Sequence, residues 1–165
     1  MLMDKEEKEN KSVATGIVVG NEINQEVARL NRDYSKPVKY TGNRHRYDSA
    51  SAKVNAKQEL FKQGKIVRDP NSGAELLLRK QDAKLKYGPK WTEHLAETDH
   101  IVPVQKVHQE YKNDAWISDA DIRDVTNDTD NLQVISRQQN NAKRAKTNEE
   151  FYGNEEYLED KGIKL

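Results

Sequence analysis

The sequence predicts an α+β fold: a strand–strand–helix core with added N-terminal helices, a hairpin and a C-terminal helix. Three observations predict it. Asp99-His100-Ile101-Val102 reads as a strand closed by Pro103, and Leu132, Val134 and Ile135 read as a second. A basic stretch starting at Asn140 turns helical soon after the second strand. Between Ile66-Val67 and Leu76-Leu77-Leu78 lies Asp69-Pro70-Asn71-Ser72-Gly73, which is strong turn chemistry for a hairpin.

The chain has 165 residues, enough for one domain plus an extension. The division expected is a polar extension over 1–48 and a main domain over 49–165, with the motif core at 97–147. Hydrophobic and charged residues each make up 34%, and the mean hydropathy is -1.08, so the core should be small. There is no cysteine. This excludes a disulfide framework and a Cys-ligated structural zinc, and leaves oxygen and imidazole donors, which suit Mg²⁺ or Mn²⁺. No apolar run is long enough to span a bilayer, and the first eleven residues lack the apolar segment of a secretory signal. The expected location is cytoplasmic.

Residues 1–20 read as a loose leader. In 21–32, Ile23, Val27 and Leu30 fall on one helical stripe, which can dock on the core or on a partner. Residues 33–48 read as a linker with Arg44-His45-Arg46 at its end, an arm suited to phosphate contact; His45 between two cations is a poor metal ligand. Ser49 can cap a helix that Gly64 ends, with Val54, Leu60 and Phe61 as its apolar contacts. A short basic helix over 80–87 stops at Gly88-Pro89. A helical turn over 91–96 places Trp91 in the core, and His94 beside it reads as structural. Residues 104–111 read as a helix, with His108 half-buried on it. Ala115-Trp116-Ile117 is apolar. A helix starts at Ser118-Asp119-Ala120-Asp121 and runs to about Val125. The acids Asp119, Asp121, Asp124, Asp128 and Asp130 lack the central Gly and distal Glu of a calcium loop. Residues 148–165 read as an acidic helix that packs on the domain or as a docking tail.

The formal net charge of +0 hides segregation. Residues 36–90 hold 14 Lys/Arg against 5 Asp/Glu, 91–130 hold 3 against 10, and 131–147 hold 4 against none. A pI near 6.9 argues against a bulk electrostatic nucleic-acid binder, but the pattern suits a basic surface with acidic neighbours.

Cleaving a phosphodiester needs a base to activate water and a cation to stabilise the charge gathering on oxygen. His100 suits the first role, and Asp99 beside it is a metal-ligand candidate. Adjacent residues on a strand face opposite sides, so both serve one site only if the strand bends. Asp99-His100-Ile101-Val102-Pro103, then Asn131-Leu132-Gln133, then Asn140 with Lys143 at Asn-x-x-Lys spacing, resembles the HNH endonuclease family, including the HNH domain of RNA-guided CRISPR nucleases. The resemblance implies a ββα-metal core and metal-dependent DNA cleavage, leaving 5′-phosphate and 3′-hydroxyl ends. It implies that His100 is the general base, Asp99 and Asn140 are the metal ligands (with Asn141 as fallback), and Asn131 orients the base and braces the motif. Lys143 either braces the helix or meets phosphate. The expected cofactor is Mg²⁺, with Mn²⁺ as substitute and no structural zinc. The expected partner is DNA, with RNA the weaker alternative and no membrane, and Arg44, Arg46, Arg137, Lys143, Arg144 and Lys146 are the candidate nucleic-acid contacts. Helix 21–32 or the acidic tail could add a protein partner or a second copy. The family's Cys pairs are missing here, and the first two motifs are about thirty residues apart. The setting expected is a phage, mobile-element, defence or toxin nuclease; the alternative is a non-catalytic or partner-activated subunit.

Overall fold

The structure is a computed structural model that describes residues 47–113 and 118–165. The expected helix over 21–32, the Arg44-His45-Arg46 arm and Ala115-Trp116-Ile117 lie outside the described residues. The described chain is α+β. It runs α1 (Ala50–Phe61), β1 (Val67–Arg68), β2 (Glu75–Leu76), α2 (Lys80–Tyr87), a 3₁₀ turn (Gly88–Glu93), β3 (Ala96–His100), α3 (Val104–Tyr111), α4 (Asp119–Thr126), a 3₁₀ turn (Thr129–Asn131), β4 (Leu132–Ser136), α5 (Arg137–Lys143), α6 (Asn148–Tyr152) and α7 (Glu155–Asp160).

Local chemistry sets most of these boundaries. Ser49 accepts the Ala52 N–H and starts α1. Ser118 accepts from Asp121 N and starts α4. Thr147 and Glu150 form a reciprocal capping box at α6. Gly88, at φ 58°, ends α2 in a conformation that side chains disfavour. The hairpin turn is held by Asp69, whose Oδ1 accepts the N–H groups of Asn71 and Ser72, both at 2.8 Å. Its Oδ2 accepts Ser136 N at 2.9 Å, which ties the hairpin to the junction of β4 and α5.

β3 and β4 pair antiparallel, from Ala96 opposite Ser136 to His100 opposite Leu132. Ile101 N donating to Asn131 O at 2.8 Å extends the ladder. The pleat sends Thr98 and His100 to one face and Glu97 and Asp99 to the other. Thr98 Oγ1 donates to Lys53 O of α1 at 2.6 Å, so the first face meets α1. The second face meets α5. Three apolar clusters enclose the pair. Tyr47, Ile101, Val107, Ile122 and Val125 pack together. Val67, Leu76 and Ala96 join the hairpin to β3. Phe151, Tyr152, Leu158 and Ile163 seat the C-terminal helices, with Ala142 of α5 against them.

Several expectations are corrected. The helix after β4 starts at Arg137, not Asn140, because Ser136 accepts Gln139 N and caps it there. Trp91 is half-buried rather than in the core, and Val54 is 46% exposed, so it gives α1 no core contact. The C-terminal segment forms two short helices that pack on the domain, not a single helix. Among the described residues no helix is long and apolar enough to cross a membrane.

Candidate active site

A cleft of about 290 Å³ lies where β3 ends, lined by Asp48, Asp99, His100, Pro103, Val104, Gln105, Arg144 and Ala145. Asp99 and His100 both line it although their side chains have partners on opposite sides of β3.

His100 is buried, and its Nε2 lies 2.8 Å from Asn127 Oδ1. The amide orientation of Asn127 is fixed by its other contacts: Nδ2 donates to Tyr47 O at 2.7 Å and to Arg123 O at 2.8 Å. Its Oδ1 also accepts Ser49 N at 3.2 Å. An amide oxygen only accepts, so Nε2 of His100 carries the proton and Nδ1 is left with the basic lone pair. Oδ1 of Asp48 is buried with no hydrogen-bond partner among the described residues, 3.8 Å from the same Nε2. Oδ2 of Asp48 accepts from Lys53 at 3.0 Å.

On the other face, Oδ2 of Asp99 accepts Lys143 Nζ at 2.6 Å and Gln133 Nε2 at 2.9 Å. Lys143 is fully buried and also donates to His100 O at 2.9 Å and Ile101 O at 3.3 Å. Its three protons are thus spent on the end of β3. Burial lowers the Lys143 pKa below its usual value, with Asp99 opposing. Asn140, three residues earlier on the same face of α5, donates to Glu97 Oε1 at 3.0 Å. Glu97 is two residues before Asp99 on the same strand face. The helix and strand therefore run as a ladder, Asn140 to Glu97 and Lys143 to Asp99.

These contacts correct four sequence-based assignments. Lys143 braces β3 and, having no exposed surface, meets no phosphate. Asn131 does not touch His100: its side chain accepts Val102 N at 2.9 Å and donates to Thr126 O at 2.8 Å and Val102 O at 3.2 Å. It braces the loop after β3, while Asn127 faces the imidazole. Asn140 is spent on Glu97 and is not among the residues lining the cleft, and Asn141 is exposed. Arg144 is exposed at the cleft and ends α5 with φ 52°, an unusual angle for a residue with a side chain. Lys146 lies 4.5 Å over the Tyr157 ring, and Arg137 sits at the start of α5, near Glu97 at 3.9 Å. Arg44 and Arg46 lie outside the described residues.

Sequence reasoning missed Asp48 and Asn127. Both stand in turn-like segments far along the chain from His100, with no periodicity to mark them.

The donors present suit a hard divalent ion. Oδ1 of Asp99 accepts no hydrogen bond from the described residues and belongs to a cleft residue. Asp48 brings a second carboxylate to the same cleft. Among the described residues no three His, Asp or Glu side chains form a ready cage. Mg²⁺ commonly keeps several waters and takes only one or two carboxylates beside substrate phosphate. Comparison with protein-family models, curated proteins and solved structures gives no match for this chain.

Proposed function

We propose that the chain is a metal-dependent DNA endonuclease of the HNH type, with β3, β4 and α5 as its ββα-metal core. The observation that carries this reading is His100 in the cleft, held by Asn127 at Nε2 and with no partner for Nδ1 among the described residues, beside Asp99 and Arg144, which line the same cleft. His100 takes a proton from water at Nδ1. Asn127 Oδ1 holds the Nε2–H of the resulting imidazolium, and Oδ1 of Asp48, 3.8 Å from Nε2, faces its charge. Arg144 at the cleft mouth receives a phosphate of the strand being cut. Lys143 and Asn131 hold the backbone of residues 100–102, so that Asp99 and His100 keep their placement. Asp99 would hold the ion, which supplies positive charge to the phosphoryl and leaving oxygens.

One observation favours a second reading, a nucleic-acid-binding subunit that needs a partner to cleave. The Lys143 ammonium already neutralises part of the Asp99 charge that a metal would use. Incubating supercoiled plasmid with the purified chain in Mg²⁺, Mn²⁺ or EDTA separates the two. The nuclease reading predicts nicking or linearisation with either metal, none with EDTA, and ends that ligase can rejoin. Binding without cleavage in all three would favour the subunit, and neither binding nor cleavage would overturn both.

A further inference from the structure

Lys80 and Lys84 of α2 hold their ammonium groups 5.0 Å from the centre of the Trp91 ring, and the Arg137 guanidinium lies 5.1 Å from it. Three cations thus converge on one half-buried indole. Lys80 and Lys84 are one turn apart on the same face of α2, where like charges repel. The only acid of α2, Asp82, is two residues from each and so turns to the opposite side. No acid among the described residues pairs with Lys80 or Lys84, and the only one near Arg137 is Glu97 at 3.9 Å. Arg79 and Lys90 are exposed at the two flanks. The indole N–H of Trp91 donates to no described acceptor, so it too is available to an anion.

The patch is joined to the cleft by a rigid element. Arg137 is the first residue of α5 and Arg144 caps its end. Seven helical steps separate them by about 10 Å.

We propose that Lys80, Lys84, Trp91 and Arg137 form a subsite for the phosphate backbone of duplex DNA flanking the phosphodiester in the cleft. This rests on the endonuclease reading and adds to it the surface that fixes the path of the flanking strand. The contacts are to phosphate, so the subsite strengthens binding equally for all sequences and makes it salt-dependent.

The test uses the full chain carrying His100→Ala, so that DNA binds without being cut, and a fluorescein-labelled 30-base-pair duplex followed by anisotropy across a salt series. Adding Lys80→Gln and Lys84→Gln should weaken binding roughly tenfold near physiological salt and reduce the slope of log affinity against log salt by about two. Both side chains are exposed, so the melting temperature should hold. A second measurement reads Trp91 directly. The chain has two tryptophans, so Trp116→Phe leaves Trp91 as the only emitter, and duplex should quench it. An unchanged salt slope together with unquenched Trp91, in a protein that binds duplex and whose parent nicks plasmid, would overturn the subsite and leave the nuclease reading standing. Failure of every form to bind or cut DNA would overturn both.

Discussion

Asn127 decides which nitrogen of His100 is basic. Its two amide protons are fixed on the carbonyls of Tyr47 and Arg123, so its oxygen faces Nε2. Asn127→Ala removes that acceptor and should slow cleavage about 100-fold, at the low end of what a positioned base contributes, with DNA binding unchanged. Asn127→Asp loses the same amide protons but keeps an acceptor for Nε2, so it should cleave faster than the alanine variant in single-turnover assays; equal rates would mean that the imidazole contact is irrelevant. Lys143 makes the opposite kind of prediction, one of stability. Lys143→Met leaves the Asp99 carboxylate without its cation and should cost about 3–5 kcal/mol in urea unfolding, and adding Asp99→Asn should recover part of it. At this scale the sequence was only partly legible. Asp99 and His100 were readable because they are adjacent and belong to a motif. Asn127 was not, because its role depends on a contact across 27 residues, and its own neighbourhood, Asn127-Asp128-Thr129-Asp130, looks like any polar turn. For Lys143 the sequence leaves bracing and phosphate contact open, because nothing in its local spacing says that β3 will cover it; the structure shows the bracing.

The elements were more legible than their mutual register. The helix over 80–87, the hairpin and β4 follow from caps, turn residues and short apolar runs, all of which act locally; β3 runs Ala96–His100, earlier than the Asp99–Val102 expected, because Ala-Glu-Thr-Asp-His is no apolar run and its pairing with β4 sets it. The start of α5 had a signal too: Ser136 stands three residues before Gln139, the spacing of an N-cap. The ladder between α5 and β3 had none, because a tertiary contact sets it. The same helix anchors the C-terminal pair, α6 and α7. Tyr152 donates to Gln139 Oε1 at 2.8 Å from a fully enclosed site, and burial lifts its phenol well above the usual 10.0. The folded protein then keeps a proton that the unfolded chain loses above pH 10, so the folded state binds more protons there and stability falls as pH rises through that range. Lys143, with its lowered pKa, acts with the opposite sign, but below its usual 10.5. Comparing Tyr152→Phe with the parent therefore isolates the phenol. The variant should lose about 1–2 kcal/mol at neutral pH and show a shallower fall in urea midpoint above pH 10. An identical alkaline slope would mean that Tyr152 is not the group responsible.

Across the whole molecule the balanced charge conceals a divided surface. Lys80, Lys84 and Arg137 collect around Trp91. The segregation was visible in the sequence as blocks of like sign, but which of those charges would share a surface was not. Lys80 and Arg137 are 57 positions apart and meet over Trp91 only because α5 packs on the 3₁₀ turn that follows α2. Binding to duplex should therefore weaken steeply with salt despite a formal net charge of +0; a flat salt response would contradict a phosphate-directed surface.

If His100 is the base of a phosphodiesterase cleft, single-turnover nicking of supercoiled plasmid in Mg²⁺ will separate the parent from His100→Ala. Cleavage by the parent, a loss of at least about 100-fold in the variant, and the same duplex affinity for both are expected. Cleavage by His100→Ala at the parent rate would contradict that role.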